Sequence, residues 1–389
     1  MNSSAAGQSA RPRHTLIVAA SLLSAVAFGG ATACSTANGA RAGRGDTVYV
    51  GVAVGLQSPE RYVNVFEGVQ LALDDLNKAA PAGAPVLAMK RAPKTADSPV
   101  AIAAAFRDDP TVIGVVGHTE SAATISAAAV YDDREHEGEH ALVAVSPTAS
   151  AAAVTLASRW VFRVCPTAAE QARALARYVT DTLRSPRAGV IYRNDPAGKD
   201  FLRAFTEELV KRHGSVVERD PFTEEIPEFD AYAKRLGRKG IPTVVMQANA
   251  GDERNALRNL RAKGGSPTFV GTNPPEPPDS AAAREVRGMR YLMLYSADRP
   301  VTDAGARFAL EFKRRTGRVA DHWGALGYDA ATLIGKAVHG AGANRRRVRD
   351  WIADVGRARP PYVGVTGPIK FDDSRNPVDK QVVVMEAGR

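Results

Sequence analysis

Val112-Ile113-Gly114-Val115-Val116-Gly117 runs into His118-Thr119-Glu120-Ser121-Ala122, and Ala141-Leu142-Val143-Ala144-Val145 runs into Ser146-Pro147-Thr148-Ala149-Ser150. Each stretch is apolar and mostly β-branched, ends at small hydroxyl residues, and opens a segment rich in alanine. That is the pattern of a buried parallel strand, whose carboxyl end is where open α/β sheets bind ligands. Hydroxyls and free N–H groups at a helix start hold a carboxylate or phosphate. Two such ends side by side imply a small anionic ligand held without covalent chemistry.

Outward from these stretches, strand and helix signals alternate. A strand is expected over 47–54 and an amphipathic helix over 66–77, with Val69, Leu71, Ala72 and Leu76 near one face. Further strands are expected at 84–90, 112–117, 141–145, 188–192, 242–247, 267–271 and 289–294. Helices are expected at 98–107, 121–131, 167–183, 199–213, 229–238, 252–263, 303–316 and 325–340. The run from Thr366 to Asp373 reads as a strand and turn, and 382–385 as a last strand. Such alternation means parallel sheets wrapped by helices, and this many strands fit two sheets in two lobes better than one. The Pro274-Pro275-Glu276-Pro277-Pro278 segment reads as a stiff loop.

Bulk properties agree. A chain of 389 residues can bury a core of two lobes, and 44% hydrophobic with 24% charged residues excludes wholesale disorder. The net charge of +9 does not make a nucleic-acid binder, because the arginines are scattered and no aromatic residues interleave with them. The densest groups, Lys313-Arg314-Arg315 and Arg345-Arg346-Arg347, read as solvated helix faces and loops.

The first residues read as an export signal. Arg11, Arg13 and His14 precede an apolar run over 16–28 that is short for a membrane span, and Ala31-Thr32-Ala33 leads into Cys34. This resembles a bacterial lipobox, with residues 1–33 as signal peptide, Cys34 lipidated, and 34–46 a tether small and polar enough to flex. The alternative is cleavage beside an incidental cysteine. Cys165 is then the other cysteine of the chain, which leaves no partner for an intrachain disulfide and suits a buried structural thiol.

In order along the chain, the segments resemble the leucine/isoleucine/valine-binding protein family, the substrate-binding components of branched-chain amino acid ABC importers. Phe66-Glu67-Gly68-Val69-Gln70-Leu71-Ala72 with Asp74 and Asn77 is similar to the family's first helix, and Val116–Ser121 and Val145–Ser150 to its two ligand loops. Phe162-Arg163 with Pro166 resembles the first crossing between lobes, Ala325–Ala330 the late helix, and Gly364–Asp372 the closing strand. The resemblance implies a type I periplasmic-binding fold: two Rossmann-like lobes with parallel sheets joined by three crossovers. Lobe 1 is expected at 47–164 plus 297–363 and lobe 2 at 165–296 plus 364–389.

For function, the resemblance implies an extracytoplasmic solute-binding protein, held on the outer face of the cell membrane by Cys34, that captures a small polar or carboxylate-bearing solute and serves a membrane permease. A monomer is expected, with no cofactor, metal or nucleic acid. Ser121, Thr148 (through its backbone) and Ser150 fall where the family grips an α-carboxylate. Ser121 also reads as a helix N-cap, which is compatible, and Ser150 as a plain loop hydroxyl. Tyr62 closes a shortened first loop. Across the cleft the chain departs from the family: Ala197 and Asn249 stand where aromatics are usual, and Asn273 where an acid pairs with the ligand ammonium. An ammonium facing an amide loses several kcal/mol of charge pairing, which argues against a branched-chain amino acid. Glu276 or Asp252 would be substitutes.

Two other classes compete. A ligand sensor of the same fold would feed a signalling partner. A secreted hydrolase would need more than His118 beside Ser121, since no third orienting group, Walker sequence or Gly-x-Ser-x-Gly elbow is present. Asp132–His140 carries two histidines and several carboxylates, but not at zinc-site spacing, and reads as a hydrated loop.

Overall fold

The computed structural model describes residues 46–55, 62–223, 229–275 and 284–388. The signal, Cys34, all of the tether but Asp46, most of the first loop and Glu276 lie outside the described residues.

The first sheet is wholly parallel. It contains β1 (Thr47–Ala53), β2 (Val86–Arg91), β3 (Val112–Gly117), β4 (Ala144–Ser146) and β5 (Val161–Arg163), in the order β2-β1-β3-β4-β5. Every residue of β3 is buried, because helices cover both faces. Val112 and Val115 join Ile102 and Phe106 of α2 (Pro99–Arg107) and Tyr131 of α3 (Ser121–Tyr131). Ile113 and Val116 join the opposite core, with Val65 and Val69 of α1 (Val63–Lys78). Each such side chain adds about 1.5–3 kcal/mol over its exposed state, so a central strand of valine and isoleucine drives this layer.

The second sheet runs β13-β10-β9-β8-β6-β7. It is built from β6 (Arg187–Arg193), β7 (Ser215–Phe222), β8 (Thr243–Gln247), β9 (Thr268–Gly271), β10 (Arg290–Met293) and β13 (Val383–Glu386). Only β13 is antiparallel, paired with β10 at the sheet edge. The short α4 (Ala153–Leu156) precedes β5, and around the second sheet lie α5 (Ala168–Arg177), α6 (Pro196–Lys211), α7 (Asp230–Arg238) and α8 (Ala250–Ala262).

The chain passes between the two layers three times. It leaves the first sheet after β5, and returns after β10 to supply α9 (Asp303–Thr316), α10 (His322–Ala341) and α11 (Arg345–Ala353). After the hairpin of β11 (Tyr362–Gly364) and β12 (Gly367–Ile369) it crosses again to β13. Leu326 and Ile334 of α10 lie in the same core as Val65 and Val69. There α1 and α10 touch backbone to backbone: a Cβ on Gly68 would sit 2.0 Å from the Gly324 carbonyl oxygen. Ile369 and Phe371 remain in the first-sheet core, with Phe371 edge-on to Phe162 at 5.3 Å. The last crossing therefore follows Phe371.

Three of the elements beyond the expected pattern carry a physical reason. β5 is three residues long, too short for a periodic signal. β7 is an edge strand whose buried Asp220 interrupts the apolar alternation and is held by Arg235. α11 opens at Arg345, so the reading of Arg345-Arg346-Arg347 as solvated is corrected for its first member. The Arg345 side chain is buried and donates to the carbonyls of Arg107, Val112 and His140 at 2.8–2.9 Å, tying α11 to the strand ends of the first sheet. Asp133, in the acidic loop after α3, is also fully buried; it accepts from the His140 N–H at 2.7 Å and lies 2.9 Å from His136 Nδ1. Among the described residues no group of His, Cys, Asp or Glu is placed to hold a metal ion, and no helix is long and apolar enough to cross a membrane.

Candidate functional site

Because β3 and β4 are neighbours, the loops that follow them lie side by side and are stitched by their hydroxyls. Ser146 Oγ donates to the His118 carbonyl at 2.6 Å and accepts from the Ala149 N–H at 3.0 Å. Thr148 Oγ1 donates to the Thr119 carbonyl at 2.7 Å, and Thr119 Oγ1 accepts from the Gly55 N–H at 3.0 Å. Ser121 Oγ accepts from the Ala151 N–H at 3.1 Å. A hydroxyl has one proton to give. Thr148 has spent its proton on the protein, so it can offer a ligand its backbone; Ser121 accepts here and keeps its proton to donate. Ser121 is the first residue of α3 and not its cap, which is Glu120. Glu120 instead takes the Tyr62 hydroxyl at 2.9 Å, while the Tyr62 ring stands edge-on to Trp323 at 5.4 Å. Ser150 enters through its carbonyl, which accepts from the Ala168 N–H at 2.8 Å.

His118 lies beneath this loop, fully buried, with Nε2 3.0 Å from the Tyr131 hydroxyl. Burial depresses its pKa to about 4, so the imidazole is neutral at physiological pH. It is bonded to Tyr131 on the core side, not poised against Ser121 as a general base would be.

A buried cation also shapes the loop. Arg163, at the end of β5, donates from Nη1 to the carbonyls of Ala149 and Ala151 at 2.9 and 2.8 Å, and from Nη2 to Thr155 Oγ1 at 3.3 Å. A charged residue ending the apolar run Trp160-Val161-Phe162 is the sequence signal for such a buried guanidinium held by backbone carbonyls.

The strand ends of the second sheet are organised around an acid. Glu253 of α8 is fully buried; its Oε1 accepts from the Thr272 N–H at 2.7 Å and Thr272 Oγ1 at 2.8 Å, and Oε2 from the Asn273 N–H at 3.3 Å. Burial nevertheless pushes its pKa up to about 8, with the hydrogen bonds opposing that rise. The residue was legible as a misfit, since Glu253, Ala256, Leu257 and Leu260 share one helical face and all four are buried. Asn273 donates from Nδ2 to the Ala248 carbonyl at 2.6 Å, which commits its amide nitrogen to the protein and leaves Oδ1 as the acceptor it can offer. Asn249 caps α8: Oδ1 accepts from the Asp252 N–H at 2.9 Å and Nδ2 donates to Asp252 Oδ2 at 2.7 Å. Asp252 is thereby bound to the helix start. Ala197 is buried in the first turn of α6, beside Gly198, where a Cβ would come within 1.9 Å of the Arg193 carbonyl oxygen.

The expected residues therefore form two groups. Tyr62, Ser121 and Thr148 belong to one bonded network on the first sheet, Ser150 lies in the same loop but bonds through its carbonyl to the head of α5, and Asn249 and Asn273 belong to another network on the second, linked through Ala248 and Glu253. Ala197, at the head of α6, takes part in neither set of hydrogen bonds through its methyl side chain.

A family model described as periplasmic binding protein matches residues 47–389. An amino acid binding protein of Pseudomonas aeruginosa is 24% identical over 315 residues, 77% of this chain and 82% of that protein. A Leu/Ile/Val-binding protein of Citrobacter freundii is 24% identical, and this chain spans 55% of its length. Among solved structures, the substrate-binding protein of a branched-chain amino acid transporter from Streptococcus pneumoniae, in complex with isoleucine, superposes with a TM-score of 0.75 over 88% of this chain and 97% of that one, at 21% identity. An ABC transporter solute-binding protein of R. palustris in complex with benzoate superposes with a TM-score of 0.74 over 88% and 93%, at 15% identity. Since the family model spans residues 47–389, the chain belongs to the periplasmic binding protein family, a group of extracytoplasmic solute-binding proteins that work with ABC transporter permeases and are not enzymes.

Proposed function

We propose that this protein captures a small carboxylate-bearing or polar solute between its two lobes and delivers it to an ABC permease, without chemical turnover. The observation that supports it most is the hydroxyl-stitched pair of loops after β3 and β4, where Ser121 keeps a proton to donate beside the α3 N-terminus. The relatives' ligands, isoleucine in one and benzoate in the other, share a carboxylate and little else. That fits a generic carboxylate grip on the first lobe and a variable second lobe. Here the second lobe presents the Asn273 amide, with Glu253 used internally, so a ligand lacking an ammonium group suits it better than a branched-chain amino acid.

Lobe 1 comprises 47–164 plus 297 to Phe371, and lobe 2 the remainder, the last boundary moved by the packing of Ile369 and Phe371. Cys34, lipidated and made the first mature residue by signal cleavage, tethers a monomer to the outer face of the membrane.

Calorimetric titration of the soluble domain against amino acids, amides, aliphatic and aromatic carboxylates tests the reading. Saturable binding of a carboxylate without an ammonium group is the expected result. Micromolar binding of leucine or valine would overturn the assignment of the second lobe, and turnover of any ligand would overturn the non-enzymatic role. Replacing Cys34 by Ala should move the protein from the membrane fraction to the medium.

A further inference from the structure

One peptide unit in the loop after β4 is held from both ends by opposite charges. The Ala151 carbonyl accepts from Arg163 Nη1 at 2.8 Å, and the N–H of the same unit, that of Ala152, donates to Asp200 Oδ2 at 2.8 Å. A trans peptide points its C=O and N–H in opposite directions, so a cation on one side requires the N–H to face the other. Arg163 belongs to the first sheet, whereas Asp200 is carried by α6 of the second. The guanidinium, the peptide dipole and the carboxylate are thus aligned across the boundary between the layers, and each charge strengthens the bond at its end. Ala151 is also the residue whose N–H is taken by Ser121 Oγ. Asp200 has one further partner, Arg203 one helical turn on, 3.5 Å from its Oδ1, and its side chain is 22% exposed. It is accessible enough to let go.

We propose that Asp200 is a positioning residue that latches α6 of the second lobe onto the 151–152 peptide of the first, with Arg163 aiming that peptide at it. Release of the Ala152 N–H opens the cleft, and recapture closes it over whatever Ser121 holds. The link to Ser121 rests on the solute-capture reading above; the latch itself does not.

The test uses the ligand-free folded domain, and so stands whether or not a ligand is found. Amide hydrogen exchange is followed at Ala152 in the parent, in Asp200→Asn and in Asp200→Ala, with small-angle scattering on the same samples. Removing the acceptor should speed exchange at Ala152 by about tenfold or more, leave the β3 amides unchanged, and increase the radius of gyration. A third variant attacks the donor. Ala152 has φ −57°, a value proline adopts, so Ala152→Pro deletes the N–H at no φ cost and should reproduce the expansion. Unchanged exchange at Ala152 and an unchanged radius in the Asp200 variants would overturn the latch, even if a ligand binds. Expansion without ligand binding anywhere would keep the latch and remove the capture reading instead.

Discussion

The carboxyl ends of the two sheets solve the same problem with different materials. After β3 and β4 the loops are held by neutral hydroxyls bonded to backbone, with a neutral histidine below and a buried arginine behind. After β8 and β9 the loop from Thr272 hangs on a buried acid, Glu253, and the asparagines around it are spent on a cap and a carbonyl. On the proposed reading, the difference separates a generic half from a selective one. Hydroxyls and N–H groups accommodate any carboxylate, whereas an amide fixed by its own hydrogen bonds is more demanding, and selectivity is assigned to the second half.

Four perturbations break or sharpen this contrast. Arg163→Leu should cost the most. It strips the Ala149 and Ala151 carbonyls of their donor in a buried site, a loss of roughly 3–5 kcal/mol in urea unfolding, accompanied by loss of carboxylate binding. A loss under 1 kcal/mol would show that the loop keeps its shape without the guanidinium.

The pH dependence of stability should carry opposite signs for the two halves. Folded Glu253 keeps its proton to about 8 while the unfolded residue gives it up near 4.5, so its contribution is lost progressively as pH rises from 4.5 and is gone once pH has passed about 8. Folded His118 refuses a proton down to about 4 while the unfolded residue takes one near 6.5, so stability falls as pH drops from 6.5 toward 4. Melting curves from pH 4 to 9 should lose the alkaline decline in Glu253→Gln and weaken the acid one in His118→Gln. An unchanged alkaline limb in Glu253→Gln would reassign that acid.

Ser121→Ala should weaken a carboxylate ligand by ~1–3 kcal/mol in titration calorimetry, since it deletes a donor and frees the Ala151 N–H. Unaltered affinity would remove Ser121 from the grip. Asn249→Ala should lower the unfolding free energy by about 1 kcal/mol through loss of the α8 cap and leave affinity intact. A binding defect larger than the stability defect would return Asn249 to the ligand.

The first half was readable in the sequence because burial on both faces leaves one signature, a valine and isoleucine run ending at hydroxyls. Adjacent placement of β3 and β4 then follows from ordinary parallel topology. The second half resisted for a physical reason. Glu253 and Arg163 act from inside the protein, and a charge is expected outside; only its place on an apolar helix face or at the end of an apolar strand betrays it. Asn249 and Asn273 were identified by position, but which of their amide atoms are already occupied depends on contacts made far along the chain. Arg345 was misread on the same ground, as one of three arginines in a row of which the first alone turns inward.

Cys165 has a practical consequence. It is fully buried, burial holds its thiol up at about 11, and from Asp46 onward the chain has no other cysteine. Thiol-directed dyes at neutral pH need an exposed thiolate, which this residue does not supply. A single cysteine introduced at the rim of the cleft can therefore be labelled in the otherwise native background, turning the folded domain into a fluorescent reporter for solutes in a culture medium.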